Sequence, residues 1–331
     1  MTVLPQSVDA LHRLSDAVDG FLRSEKEFNL ADPATHMLVG GRFRTLGTQI
    51  GAGVLAGVPD EDIAAIVQPA RSACARTPFM RSEQEWARGY PSDFRLVEHV
   101  MAQANGATPG TLGWHVEASL QSSAIAQQLR NRVLHQARLI SDVLTAPRNG
   151  PRSVLLIASG AAPDLRHIPP GVVRPGDRFV LTDVDPDALE LAQKRLGLLN
   201  DFTTAVPGNV FRALGPLAEL GPFDLVLANG LYDYLNDRAA VRLTEAVLTG
   251  LCRPGGTFHF SCIGVGNPFR WPLEFLMEWS LIERDEAAVR SLLPGCDVSI
   301  GHDPTGLALL THVRTRGAGS VPPSPGQRFH S

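Results

Sequence analysis

Read for hydrophobic and polar positions, the chain changes character near residue 150. Before that point apolar residues recur three and four apart in SVDALHRLSDAVDGFLRS, in EDIAAIVQPARSACA and in the long stretch SSAIAQQLRNRVLHQARLISDVLTA. That period puts them on one helix face. The Pro/Gly-rich APRNGPR stops the last of these helices. A mostly helical region is therefore expected over 1–150. After it, the β-rich runs SVLLIAS, RFVLTDVD, FDLVLANGLY and GTFHFSCI alternate with the helical segments DPDALELAQKRLGLL and RAAVRLTEAVLTGLC. Such alternation predicts an α/β fold, with a parallel sheet covered on both faces. LCRPGG reads as a turn before the fifth strand. CDVSIGHD and ALLTHVRT, joined by PTG, read as a terminal antiparallel pair. The α/β region spans 151–315. The Pro/Gly/Ser-rich segment 316–331 is expected to be a disordered tail.

Composition narrows the function classes. The chain has 331 residues, 44% of them hydrophobic and 19% charged, which fits a soluble globular enzyme. The net charge of −4 and the lack of a basic run argue against nucleic acid or a membrane as partner. No apolar run is long enough to span a bilayer. The polar-broken N-terminus does not read as a signal peptide. Four separated cysteines, Cys74, Cys252, Cys262 and Cys296, form no CxxC pair. They read as free thiols of a cytoplasmic protein, and no metal site is expected.

In open α/β sheets ligands bind at the carboxyl ends of the strands. The first strand runs into Ser159-Gly160-Ala161, in the stretch SVLLIASGAAPDL. A pyrophosphate would demand more glycines than this loop has, because backbone N–H groups must approach it closely. Alanine stands at two of the three glycine places. A ligand without phosphates asks less. The second strand ends in Asp183-Val184-Asp185, with Asp183 placed 23 residues after Gly160. An acid at that position can accept hydrogen bonds from ribose hydroxyls. Asp185 suits the cap of the next helix, which frees Asp183 for the ligand. The third strand is followed by Asn209 and Val210, where an amide can read an adenine edge. The fourth ends at Asn229 and Gly230, followed by Tyr232, Asp233 and Tyr234.

Taken together, these strand-end segments resemble a class I methyltransferase fold, which binds S-adenosylmethionine (SAM). ARGYPSDF (87–94) is similar to a GYPGDF-type segment, with Ser92 in place of the glycine. QLRNR (128–132), GPFD (221–224), GLYDYL (230–235), the segment 267–284 and PTG (304–306) extend the resemblance. The set is similar to the "extracellular factor" family linked to 3-hydroxypalmitate methyl ester biosynthesis. It also resembles SAM-cyclising azetidine-2-carboxylate synthases built on the same body. The resemblance implies a Rossmann-like seven-stranded core with a helical N-terminal cap. SAM is either the methyl donor or the substrate itself. Acceptor methylation gives S-adenosylhomocysteine. Cyclisation by the α-amine of SAM gives methylthioadenosine. A SAM-binding regulator without turnover is a third alternative.

Candidate roles follow. Tyr90, Asp93 and Phe94 are read as lid residues touching SAM or the acceptor, against a loop corner packed on the core. Arg132 is read as a partner of the methionyl carboxylate, against a solvated helix face. Tyr232, Asp233 and Tyr234 are read as acceptor-side residues, against a helix start capped by Asp233 or Asn236. The aromatic segment 267–279 is either the wall of an apolar pocket or, more blandly, a docking helix. His115 and His259 are possible bases, against the structural role that a lone histidine more often has. The partner expected is a small molecule. A homodimer, with the helical half swapped, stays open.

Overall fold

The computed structural model describes residues 5–86, 88–90, 93–228 and 230–315. The tail 316–331 lies outside them. Seven helices come first: α1 (Pro5–Glu27), α2 (His36–Leu55), α3 (Asp60–Cys74), α4 (Pro78–Glu85), α5 (Phe94–Ala102), α6 (Leu112–Gln121) and α7 (Ala124–Thr145). Then β1 (Ser153–Ile157), β2 (Arg178–Asp183), α8 (Pro186–Arg195), β3 (Thr203–Pro207), α9 (Val210–Leu220), β4 (Phe223–Ala228), α10 (Asp237–Ala246) and β5 (Cys252–Ile263) alternate. The chain closes with α11 (Arg270–Met277), α12 (Glu286–Ser291), β6 (Asp297–His302) and β7 (Ala308–Arg314).

The strands form one seven-stranded sheet in the order β3-β2-β1-β4-β5-β7-β6. β3, β2, β1, β4 and β5 pair in parallel. β6 and β7 are neighbours joined by a link too short for a crossover, so they are antiparallel and the sheet is mixed. Every residue of β1 and β4 is buried, as central parallel strands require. The order reverses direction at β1, which puts a topological switch between β1 and β4.

The expected turn at LCRPGG is overturned. β5 already begins at Cys252, opposite Phe223, and the register slips before Leu225 meets Thr257. The extra residues bulge out of the ladder. Gly255 takes a positive φ of 79°, and Gly256 lies under carbonyl oxygens of Arg253 and Asp224, where a Cβ would clash. Gly and Pro mark a bulge here rather than a break.

By internal contacts the chain forms two compact units. One holds the described residues up to His135, with Cys262–Asp285 and His302–Leu309. The other holds Gln136–Ser261, Glu286–Gly301 and the described residues from Leu310 on. The core of the first joins Leu14, Phe21, Leu46, Ile50 and Ile63 to Leu273 and Leu276 of α11. α11, expected as a pocket wall or a docking helix, therefore packs inside the helical unit. α2 makes room for it through glycines. A Cβ on Gly51 would stand 2.6 Å from Trp271 Cδ1, and one on Gly47 3.0 Å from Pro272 Cγ. The core of the second unit joins Val154, Leu156, Phe179, Leu181, Leu225 and Leu227 to Leu189 and Ala192 of α8.

Candidate functional site

The carboxyl ends of β1 and β2 are knitted together by one carboxylate. Asp183 Oδ2 accepts from the Gly160 N–H at 2.8 Å, and its Oδ1 accepts from the Asp185 N–H at 2.9 Å. Ser159 N–H reaches Thr182 O at 3.1 Å, and Gly208 N–H reaches Asp183 O at 2.8 Å. Burial pushes the Asp183 carboxyl above its ordinary value, and the donated N–H bonds oppose that shift. Each oxygen keeps a lone pair for a further donor.

Backbone shape answers the question of the missing glycines. Ala158, Gly160 and Ala162 all have positive φ, at 51°, 53° and 48°. The loop keeps the left-handed geometry that glycine favours, although two of the three places hold alanine. Beside it Val184 is 59% exposed, an apolar side chain left bare at the strand end. Ala161 is buried, and Ser159 hydrogen-bonds within the loop.

Asp185 accepts from the Asp187 N–H at 3.0 Å and so caps α8, with Pro186 at the first helical position. Asn209 Oδ1 accepts from the Phe211 N–H at 3.0 Å. It caps α9, so that oxygen is spent on the helix rather than on a base edge. Val210, the first residue of α9, is buried. Asn229 lies outside the described residues. Gly230 has φ 72° and opens a short 3-10 turn over Leu231–Asp233.

That turn separates the two tyrosines. Tyr232 is fully buried, with its hydroxyl 2.7 Å from Thr244 Oγ1 and its ring stacked on Phe260 at 4.0 Å. The reading of Tyr232 as an acceptor-side residue is corrected: it is core, because its ring completes the packing between the turn and β5. Asp233 is buried, and Tyr234 is 38% exposed. The cap of α10 is Asn236, accepting from Ala239 N–H at 3.0 Å.

The remaining candidates belong to the helical unit. Asp93 caps α5, accepting from the Arg95 N–H at 2.8 Å, and holds the Arg95 guanidinium in a fork of 3.0 and 2.6 Å. Both its oxygens are engaged there, by the cap and by the ion pair. Tyr90 is half-buried, and residues 91–92 after it lie outside the description. Arg132 on α7 is 2% exposed, which rules out the solvated face. A guanidinium held that deep requires polar compensation. His115 is buried, with Nε2 3.0 Å from Leu30 O, which favours the structural role over that of a base.

Three features escape linear spacing. Asp164, just after the β1 loop, is buried and pushed up to about 7 by desolvation, opposed by its bond from the Leu165 N–H. Glu83 is buried on α4 and pushed up to about 8, first by desolvation and then by the Asp93 charge. β5 and β7 bring the His259 and His312 rings to 4.5 Å between centroids. For the two acids the signal in the sequence is slight. An acid inside an apolar helix or loop is conspicuous only once burial is known.

No family model matches the chain. No curated protein matches it. Among solved structures, a possible exported protein from Bordetella parapertussis is similar, at 15% identity and a TM-score of 0.53, covering 96% of this chain and 100% of that one. NodS, an N-methyltransferase from Bradyrhizobium japonicum in complex with S-adenosyl-L-homocysteine, matches at 15% identity and TM-score 0.41, over 67% and 97%. The O-methyltransferase TomG from Streptomyces achromogenes matches at 18% and 0.39, over 57% and 80%. At such identities likeness speaks to fold alone. With its strand order and parallel central pairs, the chain carries the Rossmann-like seven-stranded core of the class I methyltransferase fold, together with a mostly helical N-terminal part.

Proposed function

We propose that the chain is a SAM-dependent methyltransferase acting on a small molecule, with SAM held at the carboxyl ends of β1 and β2. The observation that carries this reading is the Asp183 carboxylate, anchored by Gly160 and Asp185 N–H groups beside an exposed Val184. The residues present fit the group. Asp183 has acceptor capacity for a ribose diol, and Val184 offers an apolar bed for an adenine ring. The loop at 158–162 bends as close backbone approach requires. A phosphate-free ligand also suits a loop with a single glycine.

When bound, SAM supplies a sulfonium-activated methyl group. The chain's own part is to hold, orient and dry the site, which is where most of the catalysis of such a transfer lies. A carboxylate acceptor is ionised at neutral pH and needs no base. Tyr234, exposed just beyond β4, is the residue proposed to face an acceptor. Among the described residues no helix is long and apolar enough to cross a membrane.

Incubation of the purified protein with SAM, alone and with a panel of small carboxylates and amines, tests the reading by mass spectrometry. S-adenosylhomocysteine formed only with an acceptor is the expected result. Methylthioadenosine from SAM alone would replace methyl transfer by cyclisation. Calorimetry with no heat of SAM binding would end the proposal.

A further inference from the structure

Within the helical unit lies a cavity of about 380 Å³. That is the size of small-molecule sites in general. One stripe of α2 forms part of its wall, through Phe43, Arg44 and Thr48. Phe269, with Leu273 and Met277 of α11, forms another. The lining is mostly apolar, and among the wall residues Arg44 alone carries a charge. Arg44 is exposed, and its guanidinium makes no ion pair or hydrogen bond among the described residues.

Two of the polar groups meet over Gly40. A Cβ built on Gly40 would lie 2.6 Å from Ser119 Oγ and 3.5 Å from Arg44 Nη1. Hydroxyl and guanidinium thus converge over a helix position that has no side chain. The wall hydroxyls of Ser119 and Ser122 donate to His115 O at 2.9 Å and Ser119 O at 3.1 Å. Their protons are engaged, which leaves Arg44 as the strong donor there. Most of the rest of the wall offers carbon.

We propose that this cavity binds an amphipathic monocarboxylate, its apolar body against Phe43, Phe269, Leu273 and Met277 and its carboxylate on Arg44. A guanidinium pairs with a carboxylate in a planar fork, and neither an alcohol nor an amine reproduces that pairing. At about 30 Å³ for each water-sized group, the volume holds roughly a dozen non-hydrogen atoms. An acid of about eight to ten carbons fits. The inference stands apart from the SAM reading, because every measurement is made on the full chain without SAM.

Octanoate, 1-octanol and octylammonium, each below its aggregation concentration, are titrated into the protein by calorimetry. Octanoate is expected to bind saturably with one site and at least about fivefold more tightly than octanol, with octylammonium weakest. Arg44→Gln should bring octanoate down to the affinity of octanol. Thr48→Trp and Ser122→Trp, at exposed wall positions, should abolish binding of both while the far-ultraviolet circular dichroism is unchanged. Equal affinity for octanoate and octanol, no saturable octanoate binding, an octanoate affinity unchanged by Arg44→Gln, or octanoate binding that survives both tryptophan substitutions would overturn the proposal.

Discussion

The backbone N–H of Gly160 donates to Asp183 Oδ2 at 2.8 Å, so a residue at the end of β2 sets the shape of the loop after β1. The same carboxylate holds the turn into α8 through the Asp185 N–H. Asp183→Ala therefore removes two anchors and the ribose acceptor at once. SAM affinity should fall by well over tenfold by calorimetry, taking the ribose bonds at about 1.5–3 kcal/mol together. Unchanged affinity would take Asp183 out of the site. Asp183→Asn, which keeps one acceptor oxygen, should lie between the two.

Ala158 sits at φ 51°, where an L side chain is strained by about 1–2 kcal/mol. Ala158→Gly relieves the strain and loses little packing, since the residue is only half-buried. The expected gain is about 1 kcal/mol in urea unfolding. A loss of stability would mean that the alanine methyl contributes more by packing than its conformation costs.

Tyr232→Phe deletes a hydroxyl whose partner is Thr244 Oγ1 and leaves the ring on Phe260. Stability should drop by about 1 kcal/mol. Turnover per folded molecule should not change. A large fall in kcat with unchanged stability would return Tyr232 to the acceptor side.

Burial pushes the Asp164 carboxyl up to about 7 in the folded protein, against an ordinary value of 3.8. Between those values the native state keeps a proton that the unfolded chain releases. Its contribution to stability is complete below pH 4 and is lost as pH rises through 7. Asp164→Asn retains an oxygen for the Leu165 N–H and cannot ionise. The variant should gain on the parent as pH rises from 4 to 8, by on the order of 2 kcal/mol at the upper end. Thermal unfolding of both proteins across that range measures it. Parallel pH profiles would show that Asp164 is already charged in the fold.

How much of this was legible depended on what each signal measures. β1, β2 and β4 carry the apolar runs VLLI, FVL and LVLA, and central parallel strands give that pattern directly. α9 is hidden from the spacing rule because Gly215 and Pro216 interrupt its period, yet Asn209 caps it and Leu217 is buried. The turn expected at Arg253–Gly256 misleads because composition does not distinguish a bulge from a break. At the site, Asp185 caps α8 as expected, since a cap has a sequence position and a partner two residues on. Tyr232 and Tyr234 did not yield to the same logic. A 3-10 turn has no period that says which ring goes inside. Burial of Asp164, Glu83 and Arg132 is a tertiary fact.

α2 carries five glycines in twenty residues, HMLVGGRFRTLGTQIGAGVL. In a free helix each would cost about 1 kcal/mol relative to alanine. The glycines at 40, 47 and 51 are occupied from outside, by Ser119, Pro272 and Trp271. Cut out as a peptide, this segment would be coil in water. α2 packs on α1 and α3 as well, but the faces those three glycines leave open are filled only from some seventy and two hundred residues further along the chain. The core of the helical unit is therefore complete only once residues 270–277 have been made.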